Sequence, residues 1–170
     1  MRRTNVAALL LVVGVLSCGG DAISGPGNGQ GNISVSGAVS ASGEGLALFQ
    51  SGSSGGQTFF QVAIQPSPLG GGGEWQLQIV RYAARPVVGS YQIGPLVSLS
   101  ADPTATFFYT GGTNDELFTA VSGQLNITSS SASRVRGTYN FTAQSTSNPS
   151  RTVTVQGAFS ALCPATTSCM

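Results

Sequence analysis

The chain has 170 residues, only 8% of them charged, with seven arginines, six acids, no lysine and no histidine. A Ser-His-Asp triad, lysine Schiff-base chemistry and a histidine-ligated metal are therefore excluded. No run of basic residues is present to attract phosphates, so nucleic acid is not an expected partner, and no cofactor or metal is expected either.

The first stretch carries Arg2 and Arg3, an apolar run over residues 6–16, and then Ser17-Cys18-Gly19. A positive n-region, an apolar h-region and a small residue before the cut make a secretory signal over residues 1–17. The apolar run is too short to span a bilayer, which takes about 20 apolar residues. Residues 18–32 follow as a glycine-rich segment with one proline and no apolar period, the composition of a flexible spacer. With the signal removed, five arginines face six acids, so the mature chain is nearly neutral. After the spacer roughly 135 residues remain, enough for one domain with its own core.

From residue 33 the apolar period is two. Ile33 and Val35 alternate with Ser34 and Ser36; Phe60, Val62 and Ile64 with Gln61, Ala63 and Gln65; Trp75, Leu77 and Ile79 with Gln76 and Gln78. Such alternation predicts strands with one face in a core and one in water. Turn residues punctuate the runs at 51–56, 66–73, 101–103, 111–114 and 146–149. The expected fold over residues 33–162 is all-β: a single antiparallel sandwich or barrel-like domain of about eight or nine strands. They are placed near 33–41, 45–50, 57–65, 74–82, 88–94, 104–110, 116–128, 134–145 and 151–161. Residues 121–127 and 135–141 are expected to form one hairpin, with 153–161 beside it.

Three phrases in this region, Val88-Gly-Ser-Tyr91, Arg136-Gly-Thr-Tyr139 and Gln156-Gly-Ala-Phe159, place a glycine two residues before an aromatic, and Val121-Ser-Gly123 opens a related one. A glycine inside a strand marks a bulge or a close crossing. Each is therefore expected to leave room for an aromatic side chain of a neighbouring strand. In the C-terminal segment, residues 163–170, Cys163 and Cys169 follow the last strand. In an exported chain the two should oxidise to each other, and a zinc site built on them would be two ligands short.

The start of the chain carries a family resemblance. Val15-Leu16-Ser17-Cys18 resembles the lipobox of bacterial lipoproteins, with Leu16 where the family more often has Ala, Ser or Thr. The resemblance implies cleavage between Ser17 and Cys18, a diacylglycerol on the Cys18 sulfur and an acyl group on its new amino terminus. Two or more acyl chains would hold the domain firmly to a membrane. Gly19 stands where the family's inner-membrane retention signal has Asp, which favours the outer membrane. The pattern over residues 121–161 also resembles that of uncharacterised β-rich bacterial lipoproteins, which supply no catalytic residues to carry over.

The only catalytic route left open by composition is a pair of carboxylates, drawn from Glu44, Glu74, Asp102, Asp115 and Glu116. Most of these sit in turn sequences, where a solvated side chain is the expected role. Trp75, Tyr82, Tyr91, Phe107 and Tyr109 are candidates for a sugar-stacking platform, although alternating strand positions favour the core. The sequence thus predicts a lipid-anchored protein of the cell envelope that is not an enzyme. It would act as a binding or interaction module for a protein or carbohydrate ligand, with a purely structural envelope protein or a small carboxylate-dependent hydrolase as the alternatives.

Overall fold

A computed structural model describes residues 27–66, 75–96, 100–112, 115–164 and 169. The predicted signal, the Ser17–Cys18 cleavage site, most of the spacer, Asp21, Glu74 and the run 70–73 lie outside the described residues. Nine strands form the domain: β1 (Gln30–Gly37), β2 (Ala41–Ser54), β3 (Gln57–Pro66), β4 (Trp75–Arg81), β5 (Gly89–Ile93), β6 (Thr104–Tyr109), β7 (Glu116–Ser130), β8 (Arg134–Ser145) and β9 (Thr152–Leu162).

The first four strands form a meander of antiparallel neighbours, β1–β2–β3–β4. A second antiparallel run, β6–β7–β8–β9, joins it through β4–β6 at one side and β9–β1 at the other. The ring therefore closes as an eight-stranded antiparallel barrel with one extra strand, β5. Of the sandwich and the barrel that the periodicity allowed, the barrel is the one adopted. Closure leaves the eight ring strands without a free sheet edge.

Strand β5 lies outside the ring, against β7. The first half of β7, Glu116–Thr119, pairs with β6, and Gly123–Ile127 pairs with β5. Between these halves the β7–β8 ladder slips by one residue, between Ala120 and Ser122. The slip resets the side-chain alternation, as an extra residue in a strand must. Phe118 and Ala120 point inward before it, and Leu125 and Ile127 after it.

The interior is filled by side chains. Phe49, Phe60, Phe107, Phe118, Phe141 and Phe159 are fully buried, with Ile64, Leu77, Ile79 and Leu125 among them. Burying each such side chain contributes about 1.5–3 kcal/mol. The alternation runs apolar-in and polar-out, the reverse of barrels that face lipid.

The strand glycines fit around this core. Gly137 pairs across the ladder with Phe159, and Gly157 with Tyr139. A methyl group at Gly137 would stand 3.1 Å from the tip of the Phe159 ring, and one at Gly157 would stand 2.5 Å from the Tyr139 hydroxyl. These two glycines do make room for a neighbouring strand's ring. At Gly123 the obstacle is instead backbone and the Cβ of Phe141, and at Gly89 nothing lies near. The expectation of an aromatic against every such glycine is corrected at Gly89, whose partner in register is Ile127, whereas Gly123 does stand opposite the buried Phe141. Tyr139 links the rings, with centroids 6.2 Å from Phe141 and 6.4 Å from Phe159.

Cys163 and Cys169 form a disulfide. Cys169 is buried against β2, its sulfur 3.4 Å from the Phe49 carbonyl oxygen. The bond ties Cys169 back to the end of β9, next to the place where Leu162 of β9 meets Leu48 of β2 directly.

Candidate functional site: an uncharged amide face

On the outer surface of β5, β7, β8, β9 and β1, register aligns one polar residue per strand. Gln92 stands opposite Gln124, Gln124 opposite Asn140, Asn140 opposite Gln156, and Gln156 opposite Ser34. A second row runs through Ser90, Asn126 and Thr138. Neighbouring strands in a sheet lie about 4.8 Å apart, so the amides recur at that interval.

The face is hollowed where β1 and β9 part. Their ladder is interrupted between the Gly31–Phe159 and Ser34–Gln156 pairs. Within the gap, Ala158 N–H donates to the Asn32 side-chain oxygen at 2.8 Å, and Tyr139 O–H donates to the Asn32 carbonyl at 2.6 Å. The bare Cα of Gly157 lets the tyrosine reach that far. Burial pushes the Tyr139 phenol far above its ordinary pKa, so it remains a donor. The result is an open groove of about 590 Å³ bordered by Asn32, Gln124, Asn126, Thr138, Asn140 and Gln156.

Several polar groups here are only loosely engaged. Asn140 donates to Gln156, and Asn126 to Gln124, both side chain to side chain at a long 3.4 Å, while Ser90 O–H donates to the Asn126 side-chain oxygen. Among the described residues, none that lines the groove is charged. Arg136, farther along β8, is occupied by Ser160 and Asn28. Glu44 stands on β2 opposite Asn32, at the margin.

The predicted carboxylate candidates do not form a catalytic pair among the described residues. Glu44, Asp102 and Asp115 are exposed. Asp115 and Glu116 share a cleft of about 370 Å³ with Tyr109, Ser147 and Arg151. Both Glu116 oxygens, however, accept from Arg151 at 2.9 Å. The guanidinium holds the Glu116 carboxyl below its ordinary pKa, which suits neither a general acid nor a free nucleophile. Among the described residues, no cluster of three or more metal-ligating side chains occurs.

The aromatic candidates do not make a platform. Trp75 and Phe107 are in the core, and Tyr109 packs on Phe107 at 6.3 Å between centroids. Tyr91 carries the Arg81 guanidinium 4.9 Å from its ring centre and donates to the Val87 carbonyl. None of them borders the amide groove. The sequence alone does not place Asn32, Gln124, Asn126, Asn140 or Gln156 in a ligand site. The signal was available in outline: amides occupy the outward positions of the same phrases whose glycines and aromatics face inward.

Comparisons with protein-family models, with curated proteins and with solved structures find no match to this chain.

Proposed function

We propose that this chain is a lipid-anchored protein of the bacterial cell envelope whose barrel is a non-catalytic binding module, working through the amide face. The observation that carries the binding half is the alignment of Gln124, Asn140 and Gln156 on consecutive strands over an open, uncharged groove. The non-catalytic reading is supported by Glu116, whose two carboxylate oxygens are both taken by Arg151. The anchoring half rests on the sequence around Cys18, with the outer membrane as the expected site.

Two measurements test it. Cells expressing the wild-type chain should incorporate labelled fatty acid into it, and Cys18→Ala should yield an unlabelled precursor; normal processing of that variant contradicts the anchor. For the binding half, an envelope extract is passed over immobilised wild-type protein and over Asn140→Arg. A component held by the first and released by the second is the expected result. Equal retention on both would remove the amide face from the reading.

A further inference from the structure

We infer that the ligand of the amide face is a neutral, polyhydroxylated chain, an uncharged glycan, and this inference rests on the binding reading above. Each Asn or Gln presents a carbonyl acceptor beside an NH₂ donor. A pair of adjacent sugar hydroxyls also offers a donor beside an acceptor, so one amide can engage both. Gln124, Asn140 and Gln156 repeat this unit on three successive strands. The repeat of about 4.8 Å between strands is on the scale of one sugar ring.

The amides are free to make such bonds. Asn140 and Gln156 share one hydrogen bond at 3.4 Å, the outer limit of an effective one, which leaves the Asn140 carbonyl and the Gln156 NH₂ open to a ligand. Thr138 adds a hydroxyl to the border. The groove of about 590 Å³ is broad and shallow, suited to a chain lying across the strands rather than to an enclosed small molecule.

Other ligand classes fit less well. An acidic ligand would lose hydration without meeting a cation, since no described lining residue is charged and Arg136, farther along β8, is already bonded to Ser160 and Asn28. Glu44 at the margin adds repulsion. A peptide lying across a sheet face is held mainly by apolar side chains in pockets. Here the apolar border consists of Ile33 and Tyr139, both buried.

The test uses full-length protein in detergent, titrated calorimetrically with two sets of oligosaccharides: unmodified hexose and N-acetylhexosamine oligomers, and uronate-containing oligomers of the same lengths. At least one neutral oligomer should bind, with the acidic set at least tenfold weaker. Asn140→Ala with Gln156→Ala should weaken that binding at least tenfold. Gln61→Ala with Gln78→Ala, on the outer face of β3 and β4, should leave it unchanged and so controls for misfolding. The inference is overturned if no neutral oligomer binds, if the acidic set binds as well, or if the two double variants behave alike. Retention of an envelope component by the face without any neutral-oligomer binding overturns the glycan and leaves the binding reading standing. Loss of both removes both.

Discussion

Gly157 shows how a single residue joins core to surface. Its missing side chain admits the Tyr139 ring from inside and lets the hydroxyl reach the Asn32 carbonyl, which shapes the groove outside. Gly157→Ala would set a methyl group 2.5 Å from that hydroxyl and against the Asn32 carbonyl. Crowding a packed interior in this way costs about 1–3 kcal/mol. Gly94 has open space around it, so Gly94→Ala should stay within about 0.5 kcal/mol. Urea melts of the two variants should separate accordingly, and equal midpoints would deny the close packing at Gly157.

Glu116 and Arg151 make a surface pair whose pH dependence has a definite sign. The folded-state pKa of Glu116 is lowered from its ordinary 4.5, chiefly by the Arg151 hydrogen bonds. The stability it contributes is therefore present above 4.5 and lost as pH falls through the depressed folded value. Wild type should exceed Glu116→Gln in stability at pH 7, with the gap closing in acid and narrowing in high salt. A gap that widened on acidification would contradict the pairing.

Among the elements, the β2–β3 hairpin turns on Gly55 and Gly56, with φ of 60° and 80°, between the paired Ser54 and Gln57. A two-residue turn of this hand matches the twist of its strands. Any other L-residue there pays a left-handed penalty of about 1–2 kcal/mol. Gly55→Val should therefore lower the unfolding midpoint although the site is open to solvent. The Cys163–Cys169 bridge acts on another element, the end of β9. It closes a short loop, so its stabilisation is about 2 kcal/mol, far from what the core supplies. Reduction should loosen Cys169 from Phe49 and leave the barrel folded, as read by near-ultraviolet circular dichroism and amide exchange.

Element by element, the strands were legible because apolar-in, polar-out alternation is a local signal. All nine appear close to their expected positions. The departures have causes. Residues 42–44 fall between the first two expected strands but belong to β2, because Gly45 packs against the Gln65 carbonyl and the chain reverses earlier, at residues 38–40. Residues 51–54 read as part of a long turn yet pair with β3, because the two positive-φ glycines suffice to reverse the chain. The amide face was not legible. Outward amides look like ordinary solvated positions until register sets them side by side, and register between β1 and β9 depends on residues more than a hundred positions apart.

At the scale of the whole molecule, the barrel is a closed, stiff body with an apolar inside and an outside of amides and hydroxyls. A spacer of glycines before it and a predicted lipid at Cys18 would hold that body near a membrane surface while leaving its faces free to meet ligand. The central claim is that one of those faces, over β7, β8, β9 and β1, does the binding. The most direct measurement is the side-chain amide region of a nitrogen-15 NMR spectrum, recorded as envelope extract is added to labelled full-length protein. The account predicts that the signals of Gln124, Asn126, Asn140 and Gln156 move while those of Gln50, Gln61 and Gln78 on the opposite wall stay in place. Movement confined to the opposite wall, or none at all, would contradict it.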